Sequence, residues 1–214
     1  MSGLLIAFVL VLVVPLFVAT WRTSLLGLAL QGALMTAIAF RHGMHLSVHA
    51  LPELVDLVVV RTLLTPALLH HALRLRHAGP RNDVIPPNLL SWTVALALVV
   101  AAFRVAAVLV PAEGDPQTLV GVATAGVLLG LLVLATRSSP ISEVVGALRV
   151  ENAVALFELG SLGHRGVGLR LSQSTITLIT VVYFARYLRA LHGVTGAEPE
   201  GESAPAPESG RASL

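Results

Sequence analysis

Seven runs of apolar residues, separated by short breaks that are polar or rich in proline and glycine, dominate the 214-residue sequence. They cover Gly3 to Thr20, Ser24 to Phe40, Leu54 to Leu73, Leu89 to Val110, Thr118 to Thr136, Val144 to Leu162 and Val167 to Leu191. A helix needs ~20 mostly apolar residues to cross the hydrocarbon core of a bilayer, where each backbone polar group must be bonded within the segment. The runs therefore predict an all-α polytopic membrane protein with seven transmembrane helices. Only 12% of the residues are charged and 55% are hydrophobic, whereas soluble domains carry ~25% charged residues. So little polar surface cannot cover a water-soluble globule. The first run has no basic residue ahead of it and no clear small-residue cleavage site, so it reads as a helix and not as a signal peptide.

The arginines set an orientation. Short cytoplasmic loops are enriched in basic residues. With the N-terminus outside, the inner side collects Arg22, Arg74, Arg76, Arg81, Arg137, Arg186, Arg189 and Arg211, and the outer side only Arg41, Arg165 and Arg170. Trp21, Trp92, Tyr183 and Tyr187 then fall near inner helix ends, where amphipathic rings are favoured. The expectation is N-out, C-in, with residues 1–192 as the seven-helix transmembrane domain. Residues 193–214 carry Arg211 against Glu198, Glu200, Glu202 and Glu208 and show no periodic apolar face, which predicts a disordered acidic cytoplasmic tail.

Several chemistries are excluded. The chain has no cysteine, so thiolate zinc sites, iron–sulfur clusters held by the chain itself and disulfides are ruled out. It shows no phosphate-binding loop, dinucleotide fingerprint or nucleophile elbow, and no cofactor is expected. All basic residues are arginine and the formal net charge is only +2, giving no reading of nucleic-acid binding. His45, His49 and Glu53 recur at intervals of four, but Pro52 interrupts the helix they would need and no steadying groups are evident. The stretch reads as an amphipathic surface turn and not as a metal site.

Ionisable residues inside the spans carry the functional signal, because a charge at membrane depth is costly and calls for a partner, a proton or a pathway. In the sixth run Glu151 and Glu158 stand seven residues apart on one helical face, ~10 Å apart along the axis. Arg149 lies about 200° around from Glu151 and is a poor partner within that helix. Arg61 and Arg104 are then the available buried cations on other helices. On the third helix Glu53, just ahead of the run, shares a broad face of an ideal helix with Asp56, His70 and His71, whereas Arg61 lies about 140° from Asp56 and points elsewhere. Pro66 is expected to kink this helix. The histidines could relay protons to the cytoplasm. The plainer readings are ion pairs that fix packing for the glutamates and interfacial placement for the histidines. In the fifth run Gly126 and Gly130 stand four apart, a pattern for close helix packing.

The stretch Ile141 to Glu158, with its Gly-x-x-x-x-Glu-Asn pattern over Gly146, Glu151 and Asn152, resembles the hydrogenase-4 component E (HyfE) family. That family is itself similar to the NuoK subunit of complex I and the MrpC subunit of antiporters. Trp21 to Gln31 looks like its second helix, Val59 to Leu69 like its third, with a basic residue ahead of a leucine-rich stretch and a proline, and Ala185 to Gly193 like its C-terminal end. The likeness runs in order over roughly residues 20 to 192, with the last three helices NuoK- and MrpC-like. It implies a non-catalytic membrane-arm subunit of a complex I-related assembly, such as a group 4 membrane-bound hydrogenase or formate hydrogenlyase, in a bacterial or archaeal plasma membrane. Its partners would be antiporter-like subunits and subunits that anchor the hydrogenase or a quinone site.

Within that resemblance Glu151 corresponds to the first intramembrane glutamate and is the expected proton carrier in a proton or sodium path. Arg61 would modulate it, with Gln31 and Asn152 holding water in the path. The face of Asp56, His70 and His71 would serve as entry or exit, and Arg104 and Arg149 would be buried charge partners. The family places a second acidic residue near the start of the last helix, where this chain has Gln173, and Glu158 is the candidate substitute. Two readings from other classes are a stand-alone secondary ion transporter and a purely structural membrane spacer. Against the transporter, the sequence lacks paired broken helices in matching halves.

Overall fold

The computed structural model describes residues 2–18, 20–42, 44, 50–75, 88–110, 114–136, 139–160 and 175–187. Among them the chain is helical with no strand, and it forms seven successive rods, as many as the apolar runs. The first two are α1 (Ser2–Phe17) and α2 (Trp21–Arg41). The third rod is composite, running through α3 (Leu51–Leu54), a π-helical segment (Val55–Leu64) and α4 (Thr65–Leu75). The remainder are α5 (Leu89–Leu109), α6 (Asp115–Thr136), α7 (Pro140–Gly160) and α8 (Thr175–Tyr187). By length and composition α2, α5 and α6 can each cross a membrane. The proposed tail, together with His45, His49 and Gln173, lies outside the described residues.

Local chemistry places the helix ends. Thr20 caps α2 by accepting from the Thr23 amide at 3.3 Å, and Asn88 caps α5 by accepting from the Ser91 amide at 2.8 Å. Before α6, Gly114 adopts φ 120, a conformation that favours glycine, and Asp115 follows in the first turn. Helix α7 starts at Pro140, four residues ahead of the apolar run, because the polar break supplies a helix start: proline opens the helix and Glu143 stands in the first turn, where acidic groups are favoured.

Two apolar cores hold the rods. One gathers Leu5, Phe8, Leu12 and Leu16 of α1 with Met35 and Ile38 of α2, Leu57, and inward residues of α6 and α7. The α1 residues recur at helical spacing and make one stripe. The other gathers Leu25 and Leu28 of α2, Leu69 and Leu73 of α4, Ile141, Val144, Val145 and Leu148 of α7, and Val181 and Ala185 of α8. Helices α2, α7 and the third rod pass from one core to the other, and near the midpoint of each stands a polar group: Gln31, Asn152 and Arg61. Both α2 and α7 run from the second core to the first, whereas the third rod runs from the first to the second, as an up-and-down plan requires.

Helices α6 and α7 meet through small residues. A Cβ on Gly126 would lie 2.7 Å from the Ala153 Cβ, and one on Gly130 would lie 2.6 Å from the Val150 Cγ2. The expected role of Gly126 and Gly130 in close packing is what the structure gives them. At the inner end of α1, as the expected orientation has it, Phe17 stacks on Trp92 of α5 with centroids 4.0 Å apart.

Candidate functional site

Between the two cores lies a layer of polar side chains contributed by α2, the π segment, α7 and α8. Arg61 is its hub, with a side chain only 2% exposed. Its Nε donates to Asp56 Oδ2 at 2.8 Å, its Nη1 to Asn152 Oδ1 at 2.8 Å and its Nη2 to Glu151 Oε1 at 3.3 Å. Asn152 Nδ2 donates in turn to Gln31 Oε1 at 3.1 Å. The hydroxyl of Thr177 on α8 donates to Glu151 Oε1. Gln31, Asn152 and Thr177 are buried, whereas the side chains of Asp56 and Glu151 are 15% and 24% exposed. The carboxylates thus sit at the rim of the layer and the neutral groups inside it.

The pairing of Arg61 with Asp56 corrects the expectation that they point in different directions. In an α-helix residues five apart diverge, but the turns from Val55 to Leu64 close with i→i+5 bonds, which stack residues five apart on one face. The Thr65 amide bonds back to the Val60 carbonyl, and the Thr62 hydroxyl donates to the Leu57 carbonyl at 2.7 Å, both with the same five-residue spacing. Pro66 follows immediately and supplies no amide hydrogen, which removes one α-helical bond at this junction. The irregularity expected from Pro66 therefore takes the form of a widened helix upstream of the proline. Alpha-helical phases do not carry through this segment, so the face shared by Asp56, His70 and His71 on an ideal helix is not continuous here.

Gly32 lets α2 approach the hub. A Cβ at this position would lie 2.6 Å from the Thr62 Oγ1, 2.9 Å from its backbone nitrogen and 3.0 Å from the Arg61 carbonyl carbon. Any larger residue would push α2 off the π segment and carry Gln31 away from Asn152.

The structure assembles five of the residues singled out in the sequence: Gln31, Asp56, Arg61, Glu151 and Asn152. His70 is half-buried and His71 exposed on α4, well along the rod from Asp56. Glu158 is half-buried two turns beyond Glu151 on α7. Arg149 is buried, at 1% exposure. Arg104 departs from expectation: it is exposed on α5 and, among the described residues, joins no buried charge, because the fully buried residues of α5, Ala95, Ala102 and Ala106, lie on the opposite face. Thr177 is a member of the layer that the sequence reading missed. A threonine in an apolar helix ordinarily bonds its own backbone, so its residue type carried no signal.

Two buried atoms of the layer, Gln31 Nε2 and Asp56 Oδ1, have no hydrogen-bond partner among the described residues. Such groups are normally satisfied, and water is the common partner where the surroundings are polar. Comparison of the chain with protein-family models, with curated proteins and with solved structures finds no match.

Proposed function

We propose that the chain is a membrane-embedded, non-catalytic subunit of a redox-driven ion-translocating assembly and that its polar layer forms part of a proton or sodium path. The supporting observation is the hub itself: one guanidinium bridging two carboxylates between two apolar cores, on helices of opposite direction. Charge decides what such a hub can do. Arg61 compensates one negative charge fully, and in a poorly solvated layer a second uncompensated carboxylate is costly. A proton or cation that joins Asp56 and Glu151 cancels that excess and leaves again when Arg61 shifts toward one of them. Gln31, Asn152 and Thr177 keep the polar chain continuous as this happens. Glu151 is the carrier and Arg61 sets its affinity.

The resemblance of the Glu151-Asn152 helix, Gln31 and the Arg61 rod to the hydrogenase-4 component E family supplies the kind of assembly, and antiporter-like and hydrogenase-anchoring subunits the partners. Seven crossings with the N-terminus outside and the C-terminus inside complete the reading. Glu151→Gln in the assembled complex is the test: redox turnover continues and ion translocation per electron falls. Unchanged translocation overturns the proposal.

A second reading is favoured by one observation. All three guanidinium nitrogens of Arg61 have partners, which suits a static ion pair that fixes packing. Infrared difference spectra during turnover separate the two, since a carrier Glu151 gives a carboxyl band that Glu151→Gln removes and a static pair gives none.

A further inference from the structure

Arg104 is an exposed charged residue within the apolar helix α5. Helix α5 buries Ala95, Ala102 and Ala106, and Arg104 falls about 160–200° from the last two, at the centre of the opposite face. That face continues along the helix as Thr93, Ala97, Val100, Arg104 and Val108, all exposed, with Val100 at 52% and Val108 at 80%. Five further apolar residues, Val105 to Leu109, separate Arg104 from the helix end, about 7.5 Å away. Helical side chains lean toward the N-terminus, which here turns the guanidinium back along the apolar helix and away from the nearer membrane surface. Among the described residues Arg104 has no hydrogen bond or ion pair, and Asp115, the acidic residue at the start of the adjoining α6, does not reach it.

We infer that the outer face of α5 docks a transmembrane helix of a different membrane protein, one that carries an Asp or Glu at the depth of Arg104. Charge selects this occupant. An arginine at membrane depth is costly until it is paired, and a carboxylate on a facing helix supplies both the charge and a bidentate acceptor. A second copy of the chain is excluded as a symmetric partner. Two copies inserted in the same orientation and meeting through this face would set Arg104 against Arg104 at equal depth. The inference rests on the reading of the chain as one subunit of a membrane assembly, but the face can be tested apart from the assembly's activity.

The experiment places a photo-activated cross-linking residue at Val100 of the full-length chain in native membranes. The expected product joins Val100 to a peptide of another membrane protein with Asp or Glu within one turn of the linked residue. Arg104→Glu lowers its yield at least about tenfold, a loss of ~1.4 kcal/mol in association. Arg104→Lys retains most of it, and reversing the partner's acidic residue to arginine restores the yield with Arg104→Glu. Cross-links to lipid alone, to a second copy, or to a peptide without an acidic residue overturn the inference. So does an unchanged yield in Arg104→Glu, or an equal loss in Glu113→Gln, which would make the chain's own loop the counter-ion. Should Arg104→Glu fail to accumulate, the identity of the Val100 product in the unaltered chain still decides. If the chain co-purifies with redox and antiporter-like subunits while Val100 links only to lipid, the docking face is wrong and the subunit reading stands. If Val100 reaches an acidic helix of a protein outside any redox assembly, the face stands and that reading falls.

Discussion

The seam between α6 and α7 and the polar layer around Arg61 join helices by opposite means. In the seam Gly126, Gly130 and Gly146 remove side chains so that the two helices pack in close van der Waals contact. In the layer, side chains from four helices reach inward and meet through hydrogen bonds and two ion pairs. The glycine seam leaves little room for rearrangement, whereas the layer holds one guanidinium between two carboxylates. On the proposed function the seam is the fixed frame and the layer the part that changes state. Helix α7 belongs to both, presenting Val150 and Ala153 to the seam and Glu151 and Asn152 to the layer.

The largest effect expected from breaking this contrast is at Arg61. Arg61→Met leaves Asp56 and Glu151 without their cation and should destabilise the protein by about 3–5 kcal/mol, read from denaturant titration in bicelles. The triple replacement Arg61→Met, Asp56→Leu, Glu151→Met should recover that loss, to neutral or ~1–4 kcal/mol above the starting stability, because apolar packing commonly equals a buried ion pair. Ion translocation should stay absent. A triple variant as unstable as Arg61→Met would show that the charges hold the fold, and would erase the distinction between frame and moving part.

Gly130→Leu tests the frame. The added side chain has no room against Val150 Cγ2 at 2.6 Å and the Gly146 carbonyl oxygen at 3.3 Å, and overpacking of this kind costs about 1–3 kcal/mol. Stability should fall while the ions moved per electron, in whatever complex survives, stay unchanged. Gly32→Ala should cost a similar ~1–3 kcal/mol but lower that ratio as well, since the clash is with the Thr62 backbone next to the hub. Equal effects of the two glycine variants on coupling would mean that the layer has no special standing.

The frame was the legible half. Apolar run length finds each rod, and the four-residue spacing of Gly126 and Gly130 marks the seam, because both depend on residue type along one helix. Ionisable groups in apolar runs also name most of the layer. What the sequence hides is direction. The π segment turns Arg61 toward Asp56, and no residue between Val55 and Leu64 announces it. Helix α5 is apolar on every side, so nothing in its order of residues distinguishes the face of Arg104 from the face of Ala102. Thr177 is invisible for a related reason: its partner lies on α7, twenty-six positions away.

Thr177→Val is the smallest change and separates two views of Glu151. The replacement keeps the branched shape and removes one neutral donor, so about 1 kcal/mol of stability should go, with Thr177→Ser retaining most of it. If Glu151 is a carrier, the Thr177 hydroxyl is one of the groups that steady its charged form. Its loss should then slow ion release from Glu151 and shift the pH profile of translocation, while redox turnover uncoupled from translocation keeps its own profile. If Glu151 is a static partner of Arg61, the same substitution should lower the unfolding midpoint and leave both profiles superimposable. The comparison of profiles is independent of how much stability is lost, so it holds even where the layer turns out more tolerant than the seam.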